Sequence, residues 1–326
     1  MRRRDFLVAL ATTTAWSPRA RAQQDKLPIV ACLAAPAEAN YTHHVTAVRQ
    51  GLKETGLVEG QNFRMEFRWA DGQYERLPAM AEDLVNRKVS VILTMGGGPP
   101  IQAAKAATST IPVIFHLGAD PVQTGLVKSF NRPGGNITGV TLMTNSMESK
   151  RIDLLQKMIP NAKIIGVLAN PANLQNEIQL LQLQGLAAKV QLRLETFTAS
   201  DSQQLEATFH GMAGKNIEAL TVLSDVFFTS NSPQIAALSL RHRIPTIAHS
   251  REFPAAGGLM SYGTNLNDAY RLAGIYAGRI LKGEKAAELP VVEPTKFDFV
   301  INLGAAKKLG IEVPSLLLAT ADEAID

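Results

Sequence analysis

The chain has 326 residues, 46% apolar and 6% aromatic, with 33 Lys and Arg against 29 Asp and Glu. At roughly 100–200 residues per domain, this length predicts two domains with packed cores and excludes disordered or collagen-like chains. The single cysteine, Cys32, rules out an internal disulfide, Cys-rich zinc sites and iron–sulfur clusters, whereas the net charge of +4 raises nucleic acid as a partner until its location is known.

Residues 1–22 read as an export signal. Arg2-Arg3-Arg4 precede an apolar stretch from Phe6 to Trp16 and an Ala20-Arg21-Ala22 cleavage pattern, and Arg3-Arg4-Asp5-Phe6-Leu7 is twin-arginine-like. The stretch is too short to span a bilayer, which takes about 20 residues. Cleavage after Ala22 removes five basic residues and one acidic one, leaving 28 of each. The surplus charge therefore belongs to the leader, and a nucleic-acid partner loses its main support. Ile29-Val30-Ala31-Cys32 lies too far from the apolar stretch to be a lipoprotein cleavage box, so Cys32 is expected as a buried thiol.

Short β-branched runs then alternate with segments of helical period, the mark of α/β layering around parallel strands. Strands are predicted at 27–34, 62–69, 89–94, 112–116 and 136–141, with helices at 43–55, 75–87, 99–107 and 121–128. The second half predicts strands at 163–169, 190–197, 217–223, 244–248 and 258–262, with helices at 171–188, 202–214, 232–242 and 267–282. The halves also repeat each other. At a shift of 130, Ser90-Val91-Ile92-Leu93-Thr94 falls on Leu220-Thr221-Val222-Leu223-Ser224, and Asp71 falls on Asp201, each placed to cap a helix. At a shift of 133, Ile111-Pro112-Val113 falls on Ile244-Pro245-Thr246.

Two such copies imply two Rossmann-like, doubly wound parallel-sheet lobes with a cleft where the carboxyl ends of their strands meet. The expected division is 27–142 plus about 264–287 for one lobe and 143–263 plus about 288–326 for the other. Hinge crossings are expected at 141–146 and 262–266.

Several motifs carry a resemblance covering nearly all of the chain after the leader. They are Gln50-Gly51-Leu52 with Gly56 to Asn62, Pro112 to Phe115 followed by Asp120-Pro121-Val122, Arg132 to Val140, and the ending Pro294 to Phe297, Val300 to Leu303 and Ala305 to Gly310. In these the chain resembles the substrate-binding proteins of ABC transporters, of the type I periplasmic shape, that include tryptophan- and tyrosine-binding members. The resemblance implies a monomer in the periplasm that captures a small molecule, an amino acid or an aromatic or carboxylate compound, and delivers it to a membrane permease.

Polar residues just after strands are the candidate ligand contacts. Met95-Gly96-Gly97-Gly98-Pro99-Pro100 joins a strand to a helix, so backbone amides around Gly97, Gly98 and Pro99 can face a carboxylate; no GxxxxGK[ST] follows. Asp120 and Asp225 are candidates to accept from an ammonium, although Pro121 also suits Asp120 to capping. His249 and Arg251 follow a strand, and Arg251 can fork onto a carboxylate. His116, the repeat partner of His249, is expected to be structural. Asn170 and Asn173 lie at a strand–helix junction, Thr141 at a crossing, and Tyr41 and Tyr262 offer rings for stacking.

Catalytic motifs are missing: there is no G-x-S-x-G, GxGxxG or H-E-x-x-H, and the sequence calls for no cofactor. No metal site is expected, because the side chains of the adjacent pair His43-His44 do not face each other on a helix. An exported enzyme and a ligand-sensing domain are the alternatives; a transcription regulator would carry a DNA-binding module where the leader lies.

Overall fold

The computed structural model describes residues 27–142, 147–190 and 192–326. The expected export leader, residues 1–22, and residues 143–146 of the expected first crossing lie outside the described residues. Twelve described strands run in chain order: β1 Ile29–Ala34, β2 Arg64–Trp69, β3 Val91–Met95, β4 Val113–Leu117, β5 Ile137–Thr141, β6 Ile164–Ala169, β7 Arg193–Thr198, β8 Ala219–Val222, β9 Thr246–Ala248, β10 Met260–Thr264, β11 Phe297–Asn302 and β12 Glu323–Ile325. The α-helices are α1 Thr42–Glu54, α2 Leu77–Asn86, α3 Gly98–Ala107, α4 Glu148–Met158, α5 Leu174–Val190, α6 Ser202–Ala213, α7 Val226–Ser230, α8 Ser232–Arg241, α9 Glu252–Ala255, α10 Leu266–Leu281, α11 Leu303–Leu309 and α12 Ser315–Thr320.

The strands form two sheets. The first is parallel, in the order β2-β1-β3-β4-β5. The second repeats that order as β7-β6-β8-β9-β10 and continues through β11, antiparallel to β10, into β12. Both sheets are covered on both faces, as parallel sheets require. Along β1, Ile29, Ala31 and Leu33 enter one core while Val30, Cys32 and Ala34 enter the other, the period of two of a strand between helical layers. Leu33 and Ile92 are fully buried, each burial being worth about 1.5–3 kcal/mol. Cys32 is also fully buried, and burial pushes its thiol pKa up to about 12.

After β10 of the second sheet the chain returns to the first lobe. Tyr270, Ala273 and Tyr276 of α10 join the core beneath α1. The two helices touch through glycines: a Cβ on Gly51 would overlap the Arg271 carbonyl, and one on Gly274 the Val48 carbonyl. Residues 288–292, expected with the second lobe, lie against the first: Leu289 and Val291 enter its cores and Val292 bridges to Val140.

Some expectations fail locally. No helix forms at 121–128. Asp120 Oδ1 instead accepts from the Val122 and Gln123 amides at 2.7 and 3.2 Å, closing turns that end at Gly125 with φ 65°. Asp201 caps α6 by accepting from Gln204 N, but its repeat partner Asp71 adopts φ 55° and pairs with Arg76 at 2.9 Å. Helix α4, absent from the predicted elements, buries an ion pair on its inward face beside Ile152, Leu155 and Met158. Arg151 and Glu148 are 0% and 2% exposed, and Arg151 Nη1 also donates to the Tyr262 carbonyl at 3.0 Å. Helices α7 and α9, of five and four residues, are too short to announce themselves by periodicity.

Candidate ligand-binding site

In a sheet of order 2-1-3-4-5 the crossovers reverse direction beside the first strand, opening a crevice at the carboxyl end of the sheet. Here those crevices lie between the loops after β1 and β3 and between those after β6 and β8. They face each other, and a cavity of about 730 Å³, mouth included, lies between the lobes. From the first lobe Tyr41, Tyr74, Gly96 to Pro99, His116 and Tyr270 line it; from the second come Asn173, Gln175, Ser224, Asp225, Thr229 and His249.

The glycine loop follows β3. Gly96 and Gly97 have φ of 94° and 80°, a region that other residues rarely adopt. A Cβ on Gly96 would lie 2.8 Å from Pro36 Cδ and 3.4 Å from Val226 Cγ2, so its absence also lets the two lobes approach. Gly97 caps α3 without any side-chain bond. Pro99 and Pro100 have no amide hydrogen, so Gly97 and Gly98 present the positive end of the helix to the cavity.

Asp225 sits in the loop after β8, the repeat counterpart of the glycine loop. The loop that corresponds to Asp120 by the repeat is instead the one after β9. Asp225 is buried, accepting from Asn170 Nδ2 at 3.1 Å, Asn173 Nδ2 at 2.7 Å and the Phe227 amide at 2.8 Å. Desolvation raises its pKa above the usual range despite these donors, so a cationic ligand group would offset the cost of burying its charge.

Near it, Thr229 Oγ1 donates to the Asp225 carbonyl at 3.0 Å and thus accepts from His249 Nε2 at 3.3 Å. This fixes the proton on Nε2 and leaves His249 Nδ1 a bare acceptor. Burial, reinforced by nearby Arg151, lowers the His249 pKa to about 4, so the ring is neutral at pH 7. His249 Nδ1, Ser224 Oγ and Gln175 Oε1 are buried without a hydrogen-bond partner, and all three residues line the cavity. Native structures rarely leave such atoms unsatisfied, and a bound polar ligand would satisfy them.

Rings wall the other side. Tyr270 lies 6.1 Å from Tyr41 and 4.1 Å from His116, whose nitrogens contact the Thr94 and Ala269 carbonyls at 3.3 and 3.1 Å. Burial lowers the His116 pKa to about 4 and raises the phenol pKa of Tyr41, Tyr74 and Tyr270.

The cavity thus gathers Tyr41, Gly97, Gly98, Pro99, Asn173, Asp225 and His249 from the residues expected by sequence. Asn170 stands behind Asp225 as a donor. Like Asn170, four other expected residues do not line it. Asp120 closes its own turn, and Thr141 is buried with Oγ1 donating to the Ala119 carbonyl at 3.3 Å. Arg251 points away to Glu323 of β12 at 2.6 Å, and Tyr262 stacks with Phe297 of β11 at 6.4 Å. Strands β11 and β12, absent from the predicted elements, supply the partners that draw both away. Sequence reasoning missed Tyr74, Tyr270, Gln175 and Thr229, whereas Ser224 stands where the strand-end rule expects a cleft residue. One available clue was that the chain has five tyrosines, three of which line the cavity.

A family model described as ABC transporter substrate binding protein matches residues 26–325. The chain belongs to this family. A tyrosine-binding protein from Clostridioides difficile (strain R20291) is 28% identical over 263 residues, 81% of this chain and 75% of that protein. The crystal structure of an ABC domain in complex with L-Trp from Streptococcus pneumonia is 25% identical, covering 92% of this chain and 100% of that one, with a TM-score of 0.84. The ligand-free, open structure of a substrate-binding protein with adhesive properties from Clostridium difficile is also 25% identical, covering 92% and 99%, with a TM-score of 0.69. The two parallel-sheet lobes expected from the repeat and the type I periplasmic-binding-protein fold implied by the resemblance are the fold found, and the chain is a solute-binding protein of the ABC transporter class.

Proposed function

We propose that this substrate-binding protein captures a zwitterionic amino acid with an aromatic side chain. The observation that carries this reading is the opposition of two repeat-equivalent loops across one cavity, one bearing the Gly97 and Gly98 amides at a helix N-terminus and the other the buried Asp225 carboxylate. The α-carboxylate lies at the glycines and the α-ammonium at Asp225, while the ring packs among Tyr41, Tyr74 and Tyr270. The tryptophan bound in the Streptococcus pneumonia structure and the name of the Clostridioides difficile relative support the same class.

In this reading the chain is exported to the periplasm, its leader cleaved after Ala22, and works as a monomer without catalysis or a cofactor. The ligand bridges the lobes, shifts them toward the closed form and is released to a membrane permease. The moving units are the two expected lobes, with 288–292 assigned to the first.

Calorimetry with L-tryptophan, L-tyrosine, indole-3-propionate and tryptamine tests the ligand class. The expected result is binding of at least one amino acid, with either truncated analogue at least about 100-fold weaker, as for a buried polar group left unpaired. Equal binding of indole-3-propionate would remove Asp225 from its role, and consumption of any ligand would support an enzyme instead.

A further inference from the structure

The first turn of α1 and the start of α9 meet beside the cavity, one from each lobe. His43 Nε2 lies 3.2 Å and His44 Nε2 3.8 Å from Glu252 Oε1. The two imidazole centroids are 3.9 Å apart, so these neighbours converge despite adjacent positions on a helix. One ligand atom from each of the three residues lies within 4.8 Å of the others.

The hydrogen bonding here is frustrated. His44 Nδ1 lies 2.9 Å from Asn267 Oδ1, an oxygen that only accepts, so Nδ1 carries the proton. The lone pair of His44 Nε2 is therefore turned toward a carboxylate oxygen, an acceptor facing an acceptor. The other oxygen, Glu252 Oε2, is buried without a hydrogen-bond partner. A cation between the three groups resolves both conflicts.

We propose that His43, His44 and Glu252 bind a divalent transition-metal ion of the zinc class and so pin the two lobes together. Two imidazoles and one carboxylate are a three-ligand set that leaves a fourth position for water. At bond lengths near 2 Å a tetrahedral ion spaces its ligands roughly 3.3 Å apart, so the groups need to draw in by at most about 1.5 Å. Asn267 orients the His44 ring through its other nitrogen, as partners of metal-bound histidines commonly do. The side chain of His43, 46% exposed, gives the ion a route from solvent, while that of His44 is 2% exposed. His44 also contacts two cavity rings, Tyr41 at 4.9 Å and Tyr270 at 4.7 Å. Binding there thus favours the closed arrangement, and by linkage metal and solute raise each other's affinity by the same factor.

The test titrates the full chain, free of any histidine tag, with Zn²⁺ alone, so its outcome does not depend on the identity of the solute. Calorimetry is expected to show one equivalent bound at micromolar or lower concentration. His43→Ala and Glu252→Gln should each weaken it at least about 100-fold, and His210→Ala should leave it unchanged. Cobalt(II) in place of zinc should give a visible absorption band that His43→Ala abolishes. Because His43 is exposed, that variant should retain the metal-free melting temperature, which separates loss of a ligand from loss of the fold. Binding of Zn²⁺ unaltered in both ligand variants, or no binding below millimolar metal, would overturn the proposal.

Discussion

The two lobes share a sheet order and a repeated sequence, yet they present opposite chemistry to the cavity between them. After β3 the first lobe places glycines and the positive end of a helix. After β8 the second places a carboxylate held by two asparagines. The histidines related by the repeat diverge in the same way: both nitrogens of His116 contact backbone carbonyls, whereas His249 keeps Nδ1 unpaired beside the cavity. Duplication thus supplied one scaffold twice, and substitution at equivalent loops made the copies complementary. On the proposed reading, a ligand with both charges would contact each lobe by a different group and so favour closure.

The lobes differ too in what supports the loops, and that difference can be broken first. In the second lobe Arg151 and Glu148 form a buried ion pair. Arg151→Met leaves an unpaired buried carboxylate, and denaturant unfolding should show a loss of about 3–5 kcal/mol. In the first lobe the contact between α1 and α10 depends on glycine. Gly274→Ala forces the helices apart and should cost about 1–3 kcal/mol by the same measurement.

Asp225→Asn should weaken amino-acid binding about 100-fold, roughly 2.7 kcal/mol, in calorimetry. Asp120→Asn should change it less than about 2-fold, since Asp120 serves its own turn. If both variants bound alike, the contrast between the loops would fail.

The histidines set the acid response. His116 and His249 have folded pKa values near 4, below the 6.5 of a free imidazole, so protons bind the unfolded chain more readily. Stability from each is full above pH 6.5 and is lost as pH falls toward 4. Between pH 6.5 and 5.5 the loss is about 1 kcal/mol for each. Denaturation of His116→Gln and His249→Gln across this interval should each remove one such contribution. The smallest effect is expected for Arg251→Ala, which breaks an exposed pair worth at most about 1 kcal/mol and should leave ligand affinity unchanged.

Much of the fold was legible along the chain. The alternation of β-branched runs with helical segments located β1 to β10, because short-range patterning reports which face of an element is buried. The predicted helix at 121–128 failed because a proline after an aspartate suits a turn as well as a helix, and Asp120 closes the turn. The ligand loops were legible where chemistry sits on consecutive residues, as in Gly96 to Pro100. They were illegible where it does not: Tyr270 lies in the second turn of a helix otherwise read as packing, and Gln175 on one that carries many polar residues.

By itself, then, the sequence determined a two-copy α/β chain, the placing of its surplus charge in the first 22 residues, and a family of solute binders. Those properties reside in composition, local periodicity and repeats. The tertiary structure decided which residues share the cavity. It turned Arg251 and Tyr262 away through β11 and β12, brought Tyr270 in through the return of α10, and set His43 and His44 against Glu252. Each of these contacts joins residues far apart in the chain, and strand order and helix packing, unlike hydrophobic period, leave no mark on any short stretch of sequence.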